Sequence, residues 1–246
     1  MTSFNVAIKK WVKIIMVIFV LLTLNWFGMN LSTVFGGYII DCNNIGDVIN
    51  DKYHNCIRMA GMILPIVYSV SFYYISTIDE PYIIVRCGKK LYEKKEKNKI
   101  LLYTFIFASI YIFVDVIFMM LFVENSVLVA SSYYTFILLK YLMLIFYLNL
   151  IGMTLFFLRN VMKFSGMYVA FGTIIYVFWT ALYYILMVQS SPAFYMSFSV
   201  DWFYSHRFDA LSYIINIAKL FFASLIFWYL GQIVFLKRDI IENEEI

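Results

Sequence analysis

Six stretches of roughly twenty or more mostly apolar residues, one after another along 246 residues, limit what this chain can become. A hydrocarbon core about 30 Å thick takes roughly 20 residues of helix to cross. The stretches cover about 11–29, 57–78, 100–123, 133–158, 166–188 and 210–236. Hydrocarbon holds no water to satisfy backbone groups, so each crossing is either a helix or part of a closed barrel. Barrel strands read as segments of about ten residues that alternate apolar and polar, and no such runs occur. The expected fold class is therefore all-α, a polytopic integral membrane protein with six transmembrane helices forming one domain over 1–246. Composition agrees, since 63% of the residues are hydrophobic and 14% are charged. A soluble domain, which must cover itself with polar surface, carries about 25% charge.

Lysine and arginine set the orientation of such a chain. Lys9, Lys10 and Lys13 precede the first span, and Arg86, Lys89, Lys90, Lys94, Lys95, Lys97 and Lys99 lie between the second and third. Arg159 and Lys163 follow the fourth span, and Lys237 and Arg238 follow the sixth. Against these fourteen, the alternate connections hold only Lys52, Arg58 and Arg207. The asymmetry predicts that both the N- and C-termini are cytoplasmic. The net charge of +4 is then a topological signal and implies no nucleic-acid partner. Lysines before an apolar run also mark a secretory signal, but this run passes into Asn25, Trp26, Phe27 and Gly28 without a small-residue cleavage site. A signal anchor is expected instead.

Metal and acid–base chemistry need clustered His, Cys, Asp or Glu. The two histidines, His54 and His206, fall in different outer loops, and no phosphate-binding or nucleophile motif is present. The reading is that this chain is not an enzyme and holds no cofactor or metal of its own. Cys42, His54 and Cys56 share an outer loop without the paired spacing of a zinc site. Cys42 and Cys56 either close a disulfide on the oxidising side or remain thiols, and Cys87 is expected to be a free thiol.

Three ionisable residues, Asp115, Lys140 and Lys219, fall inside spans. A charge at that depth costs at least about 2.5–3.5 kcal/mol on insertion scales, so each should face protein or water. Asp115 and Lys140 lie equally far from the short outer turn near Val127, and an ion pair between them is expected. Asp209, Ser212, Asn216 and Lys219 recur at three- and four-residue spacing, which predicts a polar stripe that lines a path or faces neighbouring helices. On the fifth span Gly166, Ala170, Thr173, Thr180 and Tyr184 form a small and polar face suited to helix packing.

The connection 79–99 reads DEPYIIVRCGKKLYEKKEKNK. Pro81 suits the first turn of a helix capped by Asp79 or Glu80. Ile84, Cys87 and Leu91 fall on one face with the lysines opposite, and Gly88 marks a break before the third span. Such a loop either lies on anionic lipid or docks into a partner. The run YIIVRCGKKLYEKK resembles the first cytoplasmic loop of the small membrane (permease) subunits of ABC-2-type exporters, bacterial proteins of six helices. There an Arg, a small residue and two basic residues with an aromatic nearby follow the second span, and Arg86, Gly88, Lys89, Lys90 and Tyr92 match that pattern. The six-helix layout agrees, as does the loop 189–208, whose Pro192, Phe194, Tyr195, Trp202, Phe203 and Tyr204 suit the outer interface.

The resemblance implies a multi-pass protein of the bacterial cell membrane that pairs with a second permease half, identical or related. It further implies ATP-binding cassette ATPase subunits as partners, with ATP and Mg held by them. Ile84, Arg86, Leu91 and Tyr92 would transmit ATPase closure, and an amphipathic peptide, antimicrobial or lipid-like cargo would move outward. Asp115, Lys140, Asn216 and Lys219 are the candidate path residues. The alternatives are a membrane immunity or sensor protein against a toxic peptide, or a small secondary transporter with Asp115 as its coupling site.

Cysteine-accessibility labelling checks the orientation. Probes at 89–99 and 242–246 are expected to react from the cytoplasm, and probes at Asn50 and Ser199 from outside. Outside labelling of the tail with the N-terminus inside would require an odd number of spans.

Overall fold

The computed structural model describes residues 2–34, 36, 40–42, 44–51, 53–54, 58–76, 88–162, 166–186, 192, 194–196, 203–204 and 208–237. Its elements are helices: α1 (Thr2–Val34), α2 (Ile45–Asp51), α3 (Leu64–Ser76), α4 (Lys89–Phe122), α5 (Asn125–Ala130), α6 (Tyr133–Val161), α7 (Met167–Leu186) and α8 (Ala210–Lys237). A π-helical turn, Met59–Ile63, leads into α3. Five of these units are long and apolar enough to cross a membrane, and α7 is a sixth apolar helix. Their bounds follow the apolar stretches closely, except that α1 and α4 continue well past them into the lysine-bearing segments.

α6 is the central helix. Every residue from Tyr147 to Phe156 is buried, and α6 packs against α3, α4, α7 and, most extensively, α8. A helix that is apolar all round fits only such a surrounded place. Close approach to α8 is made at Gly231, where a Cβ would lie 2.7 Å from the Phe156 ring, and Asn160 Nδ2 donates to the Gly231 carbonyl at 3.2 Å. On the other side of α6, a Cβ on Gly152 would meet Ile100 Cγ2 at 2.6 Å and the Tyr68 hydroxyl at 2.7 Å. Small residues let helices approach where water-driven burial is unavailable.

Hydroxyls join the helices across these contacts. Tyr68 and Thr104 share a hydrogen bond of 2.8 Å between α3 and α4, and Thr154 and Tyr176 one of 2.8 Å between α6 and α7. Tyr213 donates from α8 to the Leu139 carbonyl of α6 at 2.7 Å.

The entry to α3 has a specific cause. Pro65 lacks an N–H and its ring crowds the carbonyl four residues earlier. The wide turn before it sends the Leu64 N–H to the Met59 carbonyl, which leaves the Ala60 carbonyl open, and the Tyr147 hydroxyl of α6 donates to it. Gly61 in the same turn meets the Thr180 side chain of α7. A proline readable from sequence thus becomes the point where α3, α6 and α7 lock together.

The basic segments gather at one end of the bundle. Lys89 Nζ donates to the Leu236 carbonyl at 3.4 Å, and Trp11 meets Tyr103 edge-on at 6.2 Å. At the opposite end α2 buries Ile45, Val48 and Ile49, and the His54 N–H returns to the Ile49 carbonyl at 3.2 Å, folding this segment onto the helices.

Gly231→Ala is expected to cost about 1–3 kcal/mol, because the ring and the Phe157 backbone beside it leave no room for a methyl group. Gly28→Ala, with no neighbour within 4 Å of the added carbon, should leave stability unchanged or raise it by up to about 1 kcal/mol through helix propensity. Thermal unfolding in detergent separates the two.

Candidate functional site

Two buried polar centres stand out, one at each end of the bundle. The first surrounds Asp115, which α4 carries to the end opposite the lysines. Its carboxylate accepts the Trp26 indole N–H from α1 at 2.8 Å, the Tyr133 hydroxyl from α6 at 2.7 Å and His54 Nε2 at 2.9 Å. Trp26 is itself stacked on Phe118 at 4.9 Å. Asp115 and His54 are 2% and 1% exposed, so this is an interior site. On its far side His54 Nδ1 lies 3.2 Å from the Tyr111 hydroxyl, which is 3.0 Å from the Tyr53 carbonyl. The rings of Tyr53 and Tyr111 stack at 4.6 Å. Burial holds the His54 imidazole below the usual histidine value, against the pull of Asp115.

Asp115 and Lys140 do not form the expected ion pair. Asp115 takes its hydrogen bonds from His54, Tyr133 and Trp26. Lys140 is fully buried on α6 and its charge reaches His54, opposing a proton there. Equal distance from a shared turn does not make two side chains on neighbouring helices face each other. The partner of Asp115 comes from the segment between α2 and α3, where sequence spacing offered no clue.

The second centre ties the lysine-rich ends of α4, α6 and α8. Arg159 of α6 donates to Glu96 of α4 at 3.1 Å, both being buried, and Lys99 pairs with the other oxygen of Glu96. Gln232 of α8 donates to Glu93 at 3.1 Å, and Tyr92 stacks on Phe235 at 5.6 Å. Tyr92, Glu93, Glu96, Ile100 and Tyr103 form the inward face of the first turns of α4. Lys94 and Lys95 are exposed, and Lys97 lies 3.7 Å over the Trp228 ring. Leu91 was expected opposite the lysines, but it shares the exposed face of α4 with Lys94 and Lys95, which follow it at three- and four-residue spacing. Glu93 and Glu96 were missed, although their three-residue spacing beside Tyr92 was the available signal.

The remaining candidates are distributed as follows. Leu91 is exposed and Tyr92 is buried, while Ile84 and Arg86 lie outside the described residues. The expected break at Gly88 is present, with φ of 76° immediately before α4. The stripe on α8 does not form a single face. Asp209 caps the helix, accepting the Ser212 N–H at 3.0 Å and the Leu211 N–H at 3.1 Å, and the Ser212 hydroxyl and these N–H groups hold its carboxyl below the usual range. Asn216 is buried, whereas Lys219 is exposed with its ammonium 4.7 Å from the Tyr195 ring. On α7, Thr180 packs on Gly61 as expected of a packing face, but Gly166, Ala170 and Thr173 border a groove of about 540 Å³ between α3 and α7. Cys42 is an exposed free thiol, and Cys56 lies outside the described residues. Among the described residues no three His, Cys, Asp or Glu side chains gather as metal ligands.

In comparisons with known protein families, curated proteins and solved structures, nothing matches this chain.

Glu96→Gln is expected to cost about 3–5 kcal/mol, because it removes the carboxylate charge that the buried Arg159 guanidinium faces. Arg159→Met added to it should restore part of that loss, and a thermal-stability cycle in which the two effects simply add would show that the pair is not coupled.

Proposed function

We propose that this chain is the membrane-spanning subunit of an ATP-driven ABC exporter that moves an amphipathic peptide, antimicrobial or lipid-like cargo outward. The observation that carries this reading is the union of α4, α6 and α8 at their lysine-rich ends. The connection 77–87 enters α4 through Gly88, whose φ of 76° lies outside the helical range. Directly after Gly88, Lys89, Tyr92, Glu93 and Glu96 hold α8 and α6. A force applied to the connection therefore reaches three helices at once. That is the mechanical requirement of a subunit driven by a separate ATPase on its cytoplasmic side.

In this reading Ile84, Arg86 and the exposed Leu91 meet the ATPase, since a helix docks in a groove through apolar anchors at helical spacing. Tyr92, turned inward, passes the movement on to α8. A second permease half completes the transport path, and ATP and Mg belong to the ATPase. The inward movement of charge needed to energise transport is then unnecessary, because the ATPase supplies the work.

Replacing Ile84 and Leu91 with Asp is expected to abolish co-purification with the ATPase in mild detergent with nucleotide present. Expression and membrane insertion should be unaffected, because no span is altered. Neutralising Lys94, Lys95 and Lys97 should have little effect on capture. Loss of capture only with the lysine changes would indicate a lipid-bound loop. Failure of the unaltered protein to capture any ATPase would favour the immunity or sensor reading.

A further inference from the structure

The outward face of α4 carries an inference that does not depend on the exporter reading. Its apolar members Leu102, Phe105, Phe113 and Leu121 are all exposed. At a rise of 1.5 Å per residue, Leu102 and Leu121 stand about 29 Å apart, which matches a hydrocarbon core about 30 Å thick. Lipid accounts for that stretch. Leu91 continues the same face eleven residues earlier, about 16 Å beyond the hydrocarbon. It is 48% exposed there, among the exposed Lys90, Lys94 and Lys95. Lipid tails do not reach it, and the lysines set the character of what could cover it: an acidic segment with an apolar centre.

One segment of this chain has that composition and starts beside the face. α8 ends at Lys237 against the first turns of α4, where Lys89 Nζ donates to the Leu236 carbonyl at 3.4 Å and Tyr92 stacks on Phe235 at 5.6 Å. The residues that follow, 238–246, read RDIIENEEI and lie outside the described residues. They set Asp239, Glu242, Glu244 and Glu245 against the single Arg238, with Ile240 and Ile241 between the first two carboxylates. Leu91 between Lys90 and Lys94 is the same pattern with the charges reversed. Reach is sufficient. Extended at about 3.3–3.6 Å per residue, such a segment spans up to about 30 Å. A helix with its side chains is about 10–12 Å across, so the chain can pass from the α8 side of α4 to the Leu91 side. Glu93 and Glu96, the carboxylates nearest along α4, are turned inward to Gln232, Arg159 and Lys99.

We infer that residues 238–246 fold back over this face of α4, with Ile240 and Ile241 on Leu91 and the carboxylates on Lys90 and Lys94. The pairs form beyond the hydrocarbon, where each is weak and screened by salt. The contact is therefore displaceable, and any partner that takes Leu91 must first remove the segment.

The test uses the full-length protein in nanodiscs of phosphatidylcholine. Carbodiimide joins a carboxylate to a lysine amine only where the two are in contact, and mass spectrometry should find Glu242, Glu244 or Glu245 joined to Lys90 or Lys94. With isotope-labelled and unlabelled protein mixed, the links should lie within one chain. Amine-reactive labelling gives a second readout. Lys94 should react about two- to threefold faster in a chain ending at Lys237, and likewise in Glu242→Gln combined with Glu244→Gln and Glu245→Gln, which keeps the length. Lys13, exposed on α1, should not change, and added salt should shrink the difference at Lys94. Links that join two chains would give the face to a second copy, and links to Lys9, Lys10 or Lys13 would place the segment on α1; either result overturns the proposal. So does a Lys94 reactivity indifferent to both variants, including one that falls only when phosphatidylglycerol is added to the disc, which would assign the face to anionic lipid.

Discussion

Hydrocarbon offers no hydrogen bonds, and nearly every feature of this protein is a response to that. The backbone answers by forming helices, which satisfy their own amides. Polar side chains must then find partners on other helices, and they do so at few places. Tyr68 meets Thr104, Thr154 meets Tyr176, Asn149 meets Ser224, and the carbonyl opened ahead of Pro65 is taken by Tyr147. Each bond joins two elements that sequence separates, so hydrogen bonding and helix packing reinforce one another.

Charge is handled in the same way but concentrated at the two ends. At the lysine-rich end Glu96 lies between Arg159 and Lys99, and Glu93 receives Gln232. At the other end Asp115 receives three donors from three separate elements. A buried ion pair is weak evidence of stability, because desolvation offsets most of its attraction, yet removal of one partner is severe. Such groups fix register. The lysine-rich centre holds α4, α6 and α8 at one relative height, and the Asp115 centre holds α1, α4, α6 and the segment ending in His54. The middle of α6 is held by uncharged hydrogen bonds from Tyr147, Asn149 and Thr154 and by close packing at Gly152 and against Gly231 of α8.

The two centres differ in chemistry. The lysine-rich centre sets Arg159 and Lys99 around the carboxylate of Glu96, about two turns into the helix that begins after Gly88. The Asp115 centre contains an imidazole, the side chain whose ordinary titration lies nearest neutrality, held between the Asp115 carboxylate and the Tyr111 hydroxyl.

The sequence by itself determined the class, the helices and their approximate limits, because apolar length against bilayer thickness is a one-dimensional constraint. It also predicted the break at Gly88 and the outward face of Lys94 and Lys95, since helical periodicity is local. Partner choice was not legible. Asp115 and Lys140 lie equally far along the sequence from the turn near Val127, yet the partner of Asp115 is His54, brought from a loop by the packing of Ile45 and Ile49 and by the bond from its own N–H to Ile49. The stripe from Asp209 to Lys219 was correctly periodic, but its members divided into a cap, a buried amide and an exposed ammonium, because the neighbours of α8 change along its length. Spacing within one helix records which residues share an azimuth and a height. What stands opposite them depends on how the other helices are rotated and raised, and only the tertiary structure decides that.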